Sequence, residues 1–229
     1  MTSQLAFSID EAFAHLKDAD PVLWRVIEHV GPYQPVHRDD PYASLLRTIL
    51  FQQLAGAAAQ AIQRRLFALY GNDDEKPVDQ KAAPSSNTPL PAPPSAEQLL
   101  ATTDEQFRSA GVSRQKAGYM RDLALHVVDG RLDFAELPSL DDEEVTKRLV
   151  SVKGIGEWSA HMFLMFHLGR PDVLPVGDLG VRHGMRIAYG LPEPPTPTRA
   201  KEIGAPWAPF RSVGSWYMWR VNEATAPFV

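Results

Sequence analysis

The 229-residue chain contains no cysteine. This absence excludes disulfide bonds, thiolate nucleophiles, zinc sites with cysteine ligands and iron–sulfur clusters held by cysteines. No apolar run reaches the roughly 20 residues that a membrane helix needs. The opening residues, MTSQLAFSIDEAF, lack the basic and apolar regions of a signal peptide. We therefore expect a cytoplasmic protein with no membrane partner.

The chain also lacks an excess of positive charge. Its formal net charge is −5 at pH 7, so there is no overall attraction to nucleic acid, and such a partner would have to be held by a local basic face. With 44% hydrophobic and 22% charged residues, the composition is that of an ordinary globular protein with a real core.

Helix start and stop signals are dense, whereas strand signals are nearly absent. Cap residues precede helical periodicity at Ser8, Asp20, Asp40, Ser95, Thr103, Ser113 and Ser139. Proline follows directly at two of these positions, where a first-turn proline favours the helix, and glycines close several of the segments. The pattern predicts an all-α fold.

One segment breaks this pattern. Residues 72–94, NDDEKPVDQKAAPSSNTPLPAPP, have no apolar periodicity and are rich in proline and polar residues. A segment of this composition cannot support a packed element. It is predicted to be an exposed, flexible insertion.

A glycine-rich hairpin is predicted at residues 149–164. Gly154 and Gly156 flank Ile155, with small Ala160 and several apolar positions around them. The glycines permit unusual backbone angles and close approach, Ile155 can enter the core, and amides at the start of the next helix form a site for phosphate. Lys153 adds a positive charge. The segment resembles the helix-hairpin-helix motif of DNA-binding proteins, although the same glycines also fit a simple tight turn between helices.

Asp178 follows the hairpin after a loop rich in glycine and proline, RPDVLPVG. By itself it could be only the N-cap of the helix LGVRHGMRIAYG. The combination resembles the signature of the helix-hairpin-helix-GPD superfamily of DNA glycosylases. Thr48–Gly71 is similar to a helix pair of the 3-methyladenine DNA glycosylase II (AlkA) branch. The resemblance implies that Asp178 is the catalytic carboxylate, which stabilises the cationic sugar as the base departs.

The resemblance also implies an architecture of two helical subdomains with the base pocket in the cleft between them. We expect one subdomain at 41–170, which contains the hairpin and the insertion, and a second formed by 1–40 with 171–229. The amino-terminal β domain of some relatives is not expected, since too few residues precede Asp40.

Trp158 indicates which branch of chemistry to expect. Bifunctional relatives carry a lysine at this position, four residues after the first hairpin glycine, and its amine forms a Schiff base with the sugar. Tryptophan has no such amine, so a monofunctional hydrolase without lyase activity is predicted. No cofactor is expected, apart from a monovalent cation that family hairpins often bind through backbone carbonyls, here those of Val150, Val152 and Ile155.

The expected substrates are purines methylated at N3 or N7. Such bases carry positive charge, which an electron-rich ring binds face-on, and they leave without a general acid. The predicted pocket walls are Trp158, Phe210 and nearby Trp207, although the last two could be core aromatics. Met162 stands where the close relative has a tyrosine.

The resemblance further implies residues that open and hold the duplex. Leu54 matches the wedge that fills the space of a flipped base, and Gln52 and Gln53 could bond the widowed base. The alternative for Leu54 is an ordinary buried helix residue. The expected backbone contacts are Lys153, Gly154, Gly156 and Arg182.

The predicted function is therefore a monomeric DNA glycosylase for alkylated bases in double-stranded DNA. Two alternatives stay open at this point. One is a glycosylase tuned to another lesion, such as a deaminated or ring-opened purine. The other is a non-catalytic protein that uses the hairpin for DNA binding or only for packing.

Overall fold

The computed structural model describes residues 7–36, 40–54, 56–70 and 91–223. In chain order, their helices are α1 (Ile9–Ala19), α2 (Pro21–Val30), α3 (Pro41–Phe51), α4 (Gly56–Ala68), α5 (Ala96–Ala101), α6 (Asp104–Ala110), α7 (Arg114–Val128), α8 (Asp142–Val150), α9 (Glu157–Phe166), α10 (Leu179–Ala188), α11 (Pro197–Ile203) and α12 (Arg211–Glu223). No strand occurs among these residues, which confirms the all-α prediction. Within them, no helix has the length and apolarity needed to cross a bilayer. The predicted insertion falls outside them except at 91–94.

Most predicted helix starts are confirmed by side-chain caps. Ser95 and Thr103 each form a reciprocal capping box with the glutamine three residues later. One start was predicted wrongly: α8 is capped by Asp141, whose Oδ1 accepts the Glu144 amide at 2.8 Å. The hydroxyl of Ser139 instead donates to the carbonyl of Glu136 at 2.7 Å. Because that hydroxyl is bonded backwards along the chain, the helix begins later.

The chain divides into two compact units. We call Met1–Asp39 with Glu157–Val229 the terminal unit and Asp40–Gly156 the central unit. The first boundary lies next to the one expected at 40/41. The second lies inside the hairpin, between Gly156 and Glu157, and not after residue 170. The reason is that α9 packs Phe166 against the core of the terminal unit.

The core of the terminal unit joins α1 and α2 to α10 and α12 through Leu16, Leu23, Met185 and Tyr217. A β-carbon at Gly184 of α10 would lie 2.0 Å from the carbonyl oxygen of Met218 in α12. Only glycine allows two helix backbones to approach this closely. The contact fixes α10, and with it the aspartate at its N-terminus, against α12.

The central unit is organised around α7, which contacts α3, α5 and α6. Its Met120 and Leu123 are fully buried, and each such side chain contributes about 1.5–3 kcal/mol relative to exposure. Leu149 and Ile155 of the hairpin are also buried. Ile155 therefore lies in the core, as the alternation with two glycines indicated.

Candidate active site

Asp178 is the N-cap of α10 and also the centre of a cluster of hydrogen bonds within the terminal unit. Its Oδ1 accepts the backbone N–H of Val181 at 2.8 Å and the indole N–H of Trp219 at 2.9 Å. Its Oδ2 accepts the indole N–H of Trp158 at 2.5 Å. The capping role and the predicted site role therefore coexist in one side chain.

The two carboxylate oxygens of Asp178 differ in how many of their lone-pair positions accept a hydrogen bond. A carboxylate offers about four lone-pair positions, roughly two on each oxygen. Among the described residues, two donors occupy both positions of Oδ1, whereas one donor reaches Oδ2 and leaves a position there for a substrate atom or a water. These three donors are neutral N–H groups, so none of them cancels the negative charge of an ionised carboxylate.

Trp158 and Met162 lie one turn apart on α9 and share a face of that helix. The Trp158 side chain is 49% exposed even though its N–H is bound to Asp178. Met162 is half-buried. The structure thus brings Trp158 to the predicted carboxylate with its ring accessible.

The other two predicted pocket aromatics are placed among different neighbours. Phe210 is half-buried and its ring lies 5.8 Å from that of Phe7 and 5.7 Å from that of His15. Trp207 is completely buried, and its indole N–H donates to Asp20 at 2.8 Å. A ring without exposure cannot stack on an incoming base, so the predicted stacking role of Trp207 is not supported.

Trp219 was missed by the sequence analysis, although it contacts the predicted catalytic residue directly. It lies on α12, and an open cavity of about 440 Å³ borders it, lined by Leu179, Gly180, His183, Trp219, Arg220 and Asn222. The available signal was the pair Gly180 and Gly184, spaced four residues apart on α10. That spacing indicates a helix face able to receive a close neighbour, but it does not identify the neighbour.

The predicted wedge lies on a turn between α3 and α4 of the central unit. Leu54 is 39% exposed there, so it is not an ordinary buried helix residue. Gln53 has φ of 56°, in the left-handed region that residues other than glycine seldom adopt. The ammonium of Lys116 donates to the carbonyls of Leu50 and Gln52, at 2.7 Å each, and burial lowers its pKa. A partly buried cation therefore fixes this turn.

The two hairpin glycines meet different surroundings. Gly154 has φ of 86°, and a β-carbon there would lie 2.3 Å from the Tyr119 ring. Its carbonyl accepts the side-chain N–H of Gln52 at 2.6 Å, which ties the hairpin to the wedge turn. Gly156 has no such constraint, because within the described part of the chain no atom beyond its two sequence neighbours lies within 4 Å of its β-carbon position. The fold explains the first glycine and leaves space beside the second.

The predicted backbone cations are both engaged by protein groups. The Lys153 ammonium is 3.6 Å from Asp122 Oδ1, with its side chain 77% exposed, and the Lys153 amide donates to Asp122 Oδ2 at 2.9 Å. Arg182 donates from Nη1 to the Pro195 carbonyl at 3.3 Å. The predicted phosphate role of Lys153 thus requires its ammonium to exchange or share the Asp122 carboxylate.

The predicted cation site would use carbonyl oxygens around the end of α8. Val150 is the last residue of that helix, where carbonyls lack intrahelical partners and the helix dipole is negative. The Val152 carbonyl accepts the Ile155 amide at 3.1 Å and keeps a second lone pair. A monovalent cation bound by these oxygens and that of Ile155 would hold the hairpin turn together. The site remains a prediction.

A glycine-flanked hairpin, followed in a helical fold by an aspartate that caps the next helix, is the arrangement of a helix-hairpin-helix DNA repair protein. A family model described as "HhH-GPD superfamily base excision DNA repair protein" matches residues 46–209. The chain belongs to this superfamily.

Individual relatives agree in sequence and structure. DNA-3-methyladenine glycosylase 1 of Schizosaccharomyces pombe is 31% identical over 96% of this chain and 90% of its own length. DNA-3-methyladenine glycosidase of Bacillus halodurans superposes with a TM-score of 0.78 at 35% identity, over 96% of this chain and 92% of that chain. A 3-methyladenine DNA glycosylase of S. pombe, solved in complex with abasic DNA, superposes with a TM-score of 0.76 at 30% identity, over 94% of this chain and 98% of that chain.

Proposed function

We propose that this protein is a monofunctional DNA glycosylase of the 3-methyladenine DNA glycosylase II type. It excises purines methylated at N3 or N7 from double-stranded DNA, by hydrolysis of the N-glycosidic bond, and acts as a monomer. The names of its relatives support this substrate class. The observation that carries the proposal is the Asp178 carboxylate, held by three N–H groups with a lone-pair position left on Oδ2 beside an exposed tryptophan.

The chemistry follows from the position of this charge. The bond from C1′ to the base nitrogen breaks, and its electron pair leaves with the base. The sugar becomes a cation resembling an oxocarbenium ion, which the ionised Asp178 stabilises at Oδ2. Water then adds its hydroxyl to C1′, and its proton passes to the carboxylate or to solvent. The fixed N–H donors keep the carboxylate oriented, so little reorganisation is needed as charge develops.

Trp158 provides the preference for methylated bases. Its ring is accessible, and it is oriented by the bond from its own N–H to Asp178. A cationic base stacked on such a ring gains about 1–2 kcal/mol when desolvated. Met162, one turn further along α9, borders the same face with a polarisable thioether. A cationic purine leaves as a neutral base, so this site needs no general acid.

Duplex opening belongs to the central unit in this proposal. Leu54 is the wedge, because it is exposed on a turn that Lys116 fixes, and Gln53 beside it is exposed in a strained conformation. Gly156 lets a phosphate approach the amides at the start of α9, since a side chain there would meet no protein atom. Lys153 and Arg182 add backbone contacts.

The test uses duplexes that each contain a single lesion: N7-methylguanine, 3-methyladenine, hypoxanthine, uracil or a ring-opened purine. Wild type is expected to release the methylated purines, leaving alkali-labile abasic sites. Asp178→Asn is expected to lose release by roughly 100-fold or more, because one charge-stabilising interaction at a transition state contributes about that factor. It should retain affinity for abasic DNA.

Asp141→Asn is the matched control. Asp141 also caps a helix through Oδ1, at 2.8 Å from the Glu144 amide, and asparagine caps as well as aspartate. This variant should keep full activity. Unchanged activity in Asp178→Asn would overturn the proposal, and release of only the deaminated or ring-opened bases would overturn the substrate class. Borohydride trapping of a covalent protein–DNA adduct would contradict the monofunctional mechanism.

A further inference from the structure

We propose that Trp219 is a positioning residue for the glycosylase reaction, acting through Asp178. The inference rests on the proposed function and concerns how its carboxylate is held. The Trp219 indole N–H donates to Asp178 Oδ1 at 2.9 Å, and the Val181 amide donates to the same oxygen at 2.8 Å. Together these two bonds fix the plane of the carboxylate from one side and turn Oδ2 towards its remaining partner.

The surroundings of Trp219 are arranged around this bond. A β-carbon on Gly180 would lie 2.9 Å from Cδ1 of Trp219, 3.1 Å from its Nε1 and 3.0 Å from Asp178 Oδ1. Glycine therefore stands where any side chain would push the indole away from the carboxylate. The ring of Phe166 supports the indole at a centroid distance of 5.7 Å. The hydrogen bond thus depends on α9, α10 and α12 together.

The two indole N–H donors to Asp178 have different roles. Trp158 is 49% exposed and its ring is the proposed base platform, so its bond to Oδ2 adjusts when a base enters. Trp219 is half-buried, and both the Phe166 ring and the Gly180 backbone lie next to its indole. It is therefore the side-chain donor that holds Asp178 through the reaction, while Oδ2 meets the developing cation.

The test compares Trp219→Phe with Trp24→Phe. Phenylalanine keeps an aromatic ring but removes the N–H. Trp24 is the matched control because its indole N–H also donates to a carboxylate of the terminal unit, that of Glu28, at 2.8 Å. The measurements are the single-turnover rate of N7-methylguanine release, the unfolding midpoint, and affinity for two uncleavable duplexes. One duplex carries a cationic pyrrolidine in place of the sugar, and the other carries a neutral tetrahydrofuran.

Trp219→Phe is expected to slow base release roughly 10-fold to 100-fold, the factor for one hydrogen bond to a charged group. Its preference for the cationic duplex over the neutral one should fall by a similar factor, because a misdirected carboxylate interacts less well with a cation. Affinity for the neutral duplex should stay at the wild-type value. Trp24→Phe should change none of these quantities.

Gly180→Ala gives a second variant, which keeps the indole N–H of Trp219. Its methyl group displaces the indole from Asp178, so we expect the rate and the cationic preference to fall as they do in Trp219→Phe. The inference is overturned if Trp219→Phe keeps the wild-type rate and preference. It is also overturned if both affinities and the unfolding midpoint fall together, since that pattern indicates a packing role only.

Failure of the proposed function has a separate signature. In that case wild type would release no damaged base, or Asp178→Asn would be as active as wild type. An active wild type with an inactive Asp178→Asn and an unaffected Trp219→Phe would remove only the positioning role.

Discussion

The two hairpin glycines provide a prediction in which neighbouring positions behave oppositely. Gly154→Ala places a side chain on a residue with φ of 86° and a β-carbon 2.3 Å from the Tyr119 ring. The left-handed conformation costs an L-residue about 1–2 kcal/mol, and overpacking adds about 1–3 kcal/mol. The expected loss of about 2–5 kcal/mol is large against a total stability of about 5–15 kcal/mol.

Gly156→Ala should behave differently, because its β-carbon position has no neighbour within 4 Å. The expected stability cost is about 1 kcal/mol at most, the difference between glycine and alanine next to a helix start. If a phosphate approaches this backbone, the new methyl group lengthens its bonds to the amides, and affinity should fall about 10-fold for one weakened charged hydrogen bond.

Urea unfolding measures the stabilities, and fluorescence anisotropy with an abasic-analogue duplex at fixed salt measures the affinities. The variants serve as controls for each other, since each adds one methyl group and the two positions lie two residues apart. Equal unfolding midpoints for Gly154→Ala and wild type would refute the steric reasoning. Wild-type DNA affinity in Gly156→Ala would refute the assignment of the open space to a phosphate.

Three further outcomes are expected. Lys116→Met removes the donor to two carbonyls at the end of α3. Urea unfolding should therefore show a loss of about 1–3 kcal/mol in the free energy of unfolding. If the wedge turn loosens, binding to abasic DNA should also weaken. Asp20→Asn keeps a competent cap but turns an amide towards the buried N–H of Trp207. The free energy of unfolding should therefore fall by about 1–3 kcal/mol in the same assay. An unchanged midpoint would show that this N–H finds another acceptor. Burial, together with the hydrogen bond to Asp20, raises the pKa of Tyr189 well above its ordinary value near 10. The folded state then keeps a proton that the unfolded state loses, so stability is complete below pH 10 and declines above it, and Tyr189→Phe should reduce this decline in unfolding midpoints measured from pH 8 to 11.5.

The helices were predictable because their boundary signals are local. The side chains of Ser95 and Thr103 bond amides three residues away, so sequence spacing alone determines the geometry. The start of α8 was mispredicted because the Ser139 hydroxyl donates to the carbonyl of Glu136 instead of capping the helix. Sequence spacing does not exclude this alternative hydrogen bond. The unit boundary within the hairpin was not predictable either, since it depends on where the α9 side chains pack.

The residues of the candidate site also differ in whether the sequence could predict them. Asp178 and Trp158 were identified through a motif whose spacing is fixed, and the structure joins them by a hydrogen bond. Trp219 and Lys116 reach their partners across 41 and 64–66 residues of sequence. Such contacts depend on how helices cross, and no pattern along the chain encodes the partner. The sequence shows Gly180, which allows a neighbour to approach closely, but it does not show that this neighbour is Trp219.

Asp178 also explains why a cap and a catalyst could not be separated by sequence alone. The cap bond uses Oδ1, through the Val181 amide, while the oxygen proposed to meet the sugar is Oδ2. In the proposed mechanism, capping is part of the catalytic design, because the Val181 amide and Trp219 fix Oδ1 at the rigid start of α10, while Oδ2 is bonded by Trp158. A residue free of the cap would have to be ordered when substrate binds, at the cost of its rotamer entropy. Asparagine preserves the cap but places an amide nitrogen at the Oδ2 position, where it cannot accept the Trp158 N–H. Asp178→Asn therefore removes the charge and this one bond while the helix cap stays in place.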